Sequence, residues 1–395
     1  MKTNINYNKD LFNLEVGDGF SDVTRKINQH KKNNPDAKII SFGIGDVSMP
    51  IVKPVIDAMH KAVDDLANIE TFSGYGNYYG LEVLRKAIAE NIYNGFDFSF
   101  DEVYISNGTK SDSANILELF DINSKIYLTN PGYSVYRDGA LCLNRQTTTF
   151  PLTEQNNFVP TIPGERFDLI YMCSPNNPIG NAYTYNELKL WIDYAKANNS
   201  IILYDNVYFP FIRGKDKPKT IYEIDGAKEV AIEFRSFSKS ASFTGVRCSY
   251  YIIPKEIDSN INVLWKKRTM NRSNGVDYIA QKGALAALDS EAELLLKNNI
   301  DYYLSNAILL KEAFEKLEFQ VWGGEDSPFM WIKIKNKEDS WEFFNFMLEK
   351  LNIIIIPGIV FGDFGDKYFR VSALGKKADI EEGIRRMSEY YEKNN

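Results

Sequence analysis

Lys239 stands in the run Ser236-Phe237-Ser238-Lys239-Ser240-Ala241-Ser242-Phe243-Thr244-Gly245-Val246-Arg247, among small hydroxyl residues and ahead of an arginine. A lysine amine forms Schiff bases with carbonyl compounds. Hydroxyls together with an arginine fork suit a phosphate monoester. The two features point to an aldehyde that carries a phosphate, and pyridoxal 5'-phosphate (PLP) is the cofactor with both. Taken alone, the run reads more readily as a polar loop with a surface lysine, so the rest of the chain must decide.

Other stretches supply the remaining parts of such a site. Asn107-Gly108-Thr109-Lys110-Ser111 lies between an expected strand and helix, where backbone N–H groups can hold a phosphate; it reads equally as an ordinary capped turn. Asp205 ends a strand and could pair with a pyridine nitrogen, with Tyr208 in reach of the ring's phenolic oxygen; an isolated aspartate there is more commonly a helix cap. In Ser174-Pro175-Asn176-Asn177-Pro178-Ile179-Gly180 two prolines and a glycine fix the backbone, and Asn177 can donate its amide to a ring oxygen or a carboxylate. Tyr133 follows Pro131-Gly132 and could stack on a flat ring, or be one rim aromatic among 24 tyrosines. Arg370 interrupts the apolar run Phe369-Arg370-Val371-Ser372. A buried arginine needs a partner, either an internal carboxylate or a substrate carboxylate held by both arms of the fork.

The elements that must position these residues follow from periodicity. Strands are expected over 36–42, 103–106, 125–129, 169–173, 200–204, 230–234 and 247–253. Helices are expected over 21–32, 50–68, 81–93, 111–120, 185–198, 277–288 and 291–317. A later set of strands, 319–322, 330–334, 353–356 and 368–372, is interleaved with helices over 340–350 and 380–391. This alternation implies an α/β fold with a mostly parallel, doubly wound sheet in a large domain, plus a small α/β domain. The expected division is a large PLP-binding domain over 50–290 and a small domain over 291–395, with the segment 1–49 joined to the small one. Ligands bind beyond the carboxyl ends of the strands in such sheets, so the loops described above should meet.

Composition narrows the function classes. The chain has 395 residues, 44% hydrophobic and 25% charged, with net charge -7, which offers no basic field for nucleic acid. The first residues carry no apolar leader and no run is long enough to span a bilayer, so a cytoplasmic protein is expected. Cys142, Cys173 and Cys248 are widely spaced, which suits buried thiols in a reducing compartment. The two histidines, His30 and His60, make a histidine-based metal site or a Ser-His-Asp triad unexpected.

With these motifs in order, the chain resembles the fold-type I PLP enzymes, and within them the LL-diaminopimelate aminotransferases. The resemblance is carried by residues 41–46, Gly74-Tyr75-Gly76, Asn107 to Lys110, Pro131 to Tyr133, Cys173 to Pro178, Asp205 to Tyr208, Ser236 to Arg247, Asn274-Gly275 and Arg370 to Ser372. It implies a PLP-dependent aminotransferase of amino-acid biosynthesis. Lys239 would carry PLP, Asp205 would face the ring nitrogen, Asn177 and Tyr208 the phenolic oxygen, and Tyr133 the ring face. Thr109, Lys110, Ser236, Ser238 and Arg247 would surround the phosphate. Tyr75 would reach the neighbouring subunit's phosphate, which implies a homodimer. Arg370 would bind the substrate α-carboxylate, with Ile44 and Gly45 closing over it. Lys239 would remove the α-proton, and glutamate with 2-oxoglutarate would form one substrate pair.

Two positions depart from the family. The glutamate that recognises the distal amine of diaminopimelate is Tyr78 here, and the N-terminal tyrosine at the distal end aligns with Asp18; Asn274, a third distal contact, is kept. These changes leave PLP binding intact and point to another amino acid, a cationic one if Asp18 faces the pocket. A PLP-dependent β-eliminating lyase and a PLP-binding regulator use the same fold, and a regulator would need a DNA-binding domain for which the chain has neither length nor charge.

Overall fold

The computed structural model describes residues 11, 14, 19–43, 45–335 and 338–394. Its main sheet has seven strands, in the spatial order Val103–Ser106, Ser249–Ile252, Ala231–Ser236, Ile201–Asp205, Leu169–Cys173, Ile126–Asn130 and Thr147–Pro151. Four neighbouring pairs are parallel, and Ser249–Ile252 runs antiparallel to both its neighbours. Every residue of Leu169–Cys173 and Ala231–Ser236 is buried. Continuous burial is what a parallel sheet covered on both faces requires. One covering helix, Tyr185–Asn198, starts where Thr184 caps the Glu187 N–H at 3.2 Å while Glu187 accepts from the Thr184 N–H at 2.7 Å. It buries Leu188, Trp191, Ile192 and Ala195, one face at helical spacing, and stops at Asn199 with φ 50°.

A second sheet, in the order Ile356–Pro357, Tyr368–Ser372, Phe329–Lys333 and Val321–Gly323, is antiparallel throughout. It packs with the helices Ser340–Leu351 and Lys377–Asn394. The 27-residue helix Ser290–Lys316 contributes Leu310 and Phe314 to that core and Ile300 and Tyr303 to a contact near Tyr208. The N-terminal strand Ile40–Ser41 pairs in parallel with Ile353–Ile354, and Ser372 N–H donates to the Phe42 carbonyl at 2.6 Å. These bonds deliver Gly43 and Gly45 to the same cleft as Arg370.

Several elements differ from the sequence expectations. The helix expected over 111–120 begins at Thr109, behind Gly108 at φ 133°, and gives way to a tighter turn at Ile116–Leu119. That shift places Thr109 and Lys110 in the first helical turn. The stretch 81–93 is a helix over Glu82–Ala87 that widens into a π segment at Ile88–Ile92. The expected strand 353–356 is two short strands serving two different sheets. Thr147–Pro151, Val135–Cys142 and Ser259–Arg272 had no sequence expectation. The first is a polar edge strand, the second carries Gly139, and the third buries only Ile261, Trp265 and Thr269, so none shows strong periodicity.

Candidate active site

The loops at the carboxyl ends of five strands converge on a cavity of about 850 Å³. Thr109, Lys110, Tyr133, Asn177, Asp205, Tyr208, Ser236, Ser238, Lys239 and Arg247 all line it, together with Gly45 and with Arg370 from the second sheet. The structure thus brings together residues spread over most of the chain.

One end of the cavity is a cup of donors. Ser236 caps the short helix Phe237–Ser240, its hydroxyl oxygen accepting from the Ser238 N–H at 3.0 Å. Arg247 Nη1 donates to Ser238 Oγ at 3.2 Å. The same guanidinium lies against Gly108, where an added Cβ would stand 2.1 Å from Nη2. Only glycine allows that approach at φ 133°. Thr109 is anchored by its hydroxyl to the Arg235 carbonyl at 3.2 Å. An arginine, two serines and a helix N-terminus make a cup of donors of the kind that suits an anion.

Asp205 also lines the cavity, buried, with Oδ2 accepting from the Tyr136 hydroxyl at 2.6 Å and Oδ1 from the Val207 N–H at 3.3 Å. Burial pushes its carboxyl up to about 6, against the pull of both donors. Tyr136 is a site residue that sequence reading missed. It lies in the helix Val135–Cys142, its ring stacks on Tyr171 at 4.7 Å, and no local pattern in the sequence marks it. Burial also raises the Tyr208 phenol well above its ordinary value.

Lys239 is 9% exposed, and its amine donates to the Gly45 carbonyl. Burial lowers the amine to about 8, helped by Arg370 and Arg247 and opposed by Asp46. Arg370 is 3% exposed; Nη1 donates to Asn177 Oδ1 at 2.7 Å and Nη2 to the Gly43 carbonyl at 3.1 Å. Among the described residues its Nε has no hydrogen-bond partner, and its Cζ lies 4.4 Å from the Phe329 ring centre and 4.9 Å from that of Phe361. Burial lowers this guanidinium to about 10. Both bonded partners are neutral, so the arginine keeps its capacity to bind an anion.

Other expected residues lie elsewhere. Tyr75 is 90% exposed, and Tyr78 and Asn274 are also exposed, all outside this chain's cavity. The turns that carry them touch, for a Cβ on Gly275 would stand 2.9 Å from the Asn77 carbonyl oxygen. Asp18 and Ile44 lie outside the described residues. Among the described residues no cluster of histidine, cysteine and acidic side chains could hold a metal ion, and no helix is long and apolar enough to cross a membrane.

A buried amine, a carboxylate facing the same cavity and a donor cup for a dianion are the groups that PLP requires. Residues 37–387 match the aminotransferase class I and II family. The chain belongs to that family. The LL-diaminopimelate aminotransferase of Bacteroides thetaiotaomicron is 41% identical over 393 residues, covering 94% of this chain and 96% of that protein. The protein of the same name from Phocaeicola vulgatus is 42% identical over 391 residues, with the same coverage. The L,L-diaminopimelate aminotransferase structure from Chlamydomonas reinhardtii superposes with a TM-score of 0.93 at 37% identity, covering 99% of this chain and all of that one. This aminotransferase is therefore a PLP-dependent transferase of the fold-type I architecture that uses small amino and oxo acids.

The lowered amine has a measurable consequence. A lower value leaves more free base near neutrality. In the cofactor-free aminotransferase, labelling of Lys239 by a small amine reagent, read by peptide mass mapping, is expected to be half-maximal near pH 8. A half-point near the ordinary lysine value of about 10.4 would contradict the electrostatics of the cavity.

Proposed function

We propose that this aminotransferase binds PLP with Lys239 as its covalent anchor, Asp205 at the ring nitrogen, Asn177 and Tyr208 at the phenolic oxygen, and Tyr133 on the ring face. Thr109, Lys110, Ser236, Ser238 and Arg247 take the phosphate. Bound there, the cofactor supplies an electrophilic carbonyl carbon and a ring that accepts the electron pair released from the substrate Cα. The residues of the chain do the rest. Arg370 and Asn177 hold the substrate α-carboxylate and so set the orientation of Cα. Once the substrate amine has displaced it from the cofactor carbon, the freed Lys239 amine is placed both to take the α-proton and to return it. Asp205, kept buried with two donors, holds the countercharge to a protonated ring nitrogen. The observation that carries this reading is the burial of Arg370 in one cavity with Lys239, its bonded partners among the described residues being neutral.

The same reading makes the active unit a cytoplasmic homodimer. Ile69, Phe72 and Tyr75 are 95%, 63% and 90% exposed on one loop, an apolar surface that suits a subunit contact. Tyr75, Tyr78 and Asn274 would then complete the neighbouring subunit's cavity. Sedimentation at catalytic concentrations is expected to show a dimer; an active monomer would rule this arrangement out.

The amino donor is an L-amino acid that departs from LL-diaminopimelate at its far end, exchanged against 2-oxoglutarate. Among the described lining residues Asp205 is the one carboxylate, while Lys31, Lys110, Arg247 and Arg370 are cationic. Tyr78 supplies no carboxylate for a distal ammonium, and Asp18, outside the described residues, is the candidate replacement; if it faces the pocket, an amino acid with another cationic side chain is the preferred donor. A site built to pair a polar group discriminates strongly against substrates that leave it unpaired, and losing that group relaxes the choice. LL-diaminopimelate itself is a second reading, favoured by the 41% and 42% identity to relatives that bear its name. The test is kcat/KM for LL-diaminopimelate beside lysine, ornithine, arginine, acidic and neutral amino acids. Diaminopimelate is expected to trail the best substrate, and Tyr78→Glu to raise its kcat/KM by about tenfold, roughly 1.4 kcal/mol of transition-state binding. If diaminopimelate leads by orders of magnitude, the second reading stands.

A further inference from the structure

A buried charge cluster lies just outside the cavity. Glu233 and Arg235 share one face of the strand Ala231–Ser236, at 0% and 3% exposure, and pair at 3.1 Å. Glu233 Oε1 accepts from Asn206 Nδ2 at 2.8 Å and from the Ile221 N–H at 3.2 Å. Its Oε2 accepts from the Tyr93 hydroxyl at 2.5 Å and the Thr220 hydroxyl at 3.0 Å. The Arg235 guanidinium lies 4.1 Å from the Phe209 ring centre. A buried ion pair is rarely worth more to stability than apolar packing of the same volume; here all four bonds to the Glu233 carboxylate come from buried groups, although Asn206 Oδ1 and Arg235 Nε have no hydrogen-bond partner among the described residues.

What this network holds is the chain on either side of the cofactor residues. Asn206 follows Asp205 directly and is fully buried; besides Glu233, its Nδ2 donates to the Lys219 carbonyl at 2.9 Å. Its N–H donates to the Phe234 carbonyl at 2.9 Å, so the side chain is the extra tie. The carbonyl of Arg235 accepts from the Thr109 hydroxyl at the phosphate cup. One buried carboxylate thus ties the Asp205 loop to the strand that ends in the Lys239 loop.

We propose that Glu233 is a positioning residue for amino transfer: through Asn206 it fixes the direction of the Asp205 carboxylate, and through Arg235 it keeps that carboxylate in register with the phosphate cup. The inference rests on the role given above to Asp205. An Asp205 free to swing would still fill the cavity but would meet the ring nitrogen at variable distance. A misplacement of about 1 Å costs on the order of 100-fold in rate.

The test uses the full-length, PLP-loaded protein. Asn206→Ala cuts the tie and leaves the Glu233–Arg235 pair in place. It is expected to lower kcat by about 10- to 100-fold with KM for the amino acid little changed, to weaken PLP affinity, and to alter the circular dichroism of the bound cofactor. Glu233→Gln should show the same pattern; should it fail to fold, Asn206→Ala carries the test. Combined with Asp205→Asn, the Asn206→Ala loss should vanish, because residues acting as one unit are not additive. If Asn206→Ala lowers the melting temperature of the cofactor-free protein but leaves kcat, PLP affinity and the cofactor spectrum unchanged, Glu233 is purely structural and the inference fails. Losses that multiply fully in the double variant overturn it as well. If Asp205→Asn itself keeps the parent spectrum and kcat, the role of Asp205 falls and this inference with it, whereas an impaired Asp205→Asn beside an unaffected Asn206→Ala removes the inference alone.

Discussion

Arg370 holds a positive charge where water hardly reaches, and the groups bonded to it, Asn177 and the Gly43 carbonyl, are neutral. Burying a charge without a countercharge costs several kcal/mol even after relaxation. Lys239 and Arg247 face the same cavity, so the repulsion adds to the cost of burial. An anion that enters relieves it, and binding to the folded state alone stabilises that state by mass action. The cavity's cations are thus held in place by the fold before any anion arrives.

The architecture exists to hold those cations in place. The parallel strands end together, so loops from distant parts of the chain open on one side of the sheet. Arg370 comes from the second sheet, between Phe329–Lys333 and Ile356–Pro357, and the N-terminal strand beside it brings in Gly43 and Gly45. The rigidity of the first sheet comes from continuous apolar burial. At its carboxyl end, polar networks replace that burial: Tyr136 with Asp205, and Glu233 with Arg235 and Asn206. Each sits directly behind a residue that faces the cavity.

Much of this was legible in the sequence because chemistry-bearing residues followed apolar runs. Asp205 and Asn177 stand at or just beyond strongly apolar strands, Lys239 follows a buried strand that also carries Glu233 and Arg235, Arg370 interrupts an apolar one, and the structure gathers them in one cavity. Helices with a clear apolar stripe, such as Tyr185–Asn198, were legible to the residue because a capping box and an αL asparagine mark their ends. Thr147–Pro151 was not, since a polar edge strand with no fully buried residue carries little apolar signal. Tyr136 and Glu233 were silent for another reason. Their importance lies in which atoms they touch across 69 and 140 residues of chain, in the bonds Tyr136–Asp205 and Tyr93–Glu233, and no local pattern records that. Tyr75, Tyr78 and Asn274 show the reverse, for their motifs stand out in the sequence, yet the single chain leaves them on its surface.

The account stands on the covalent use of one amine. Borohydride reduction of the PLP-loaded protein, followed by proteolysis and mass mapping, tests it most directly. The account predicts the reduced cofactor on the peptide that carries Lys239 and on no other. A tag on Lys110, the other lysine at the phosphate cup, would contradict it.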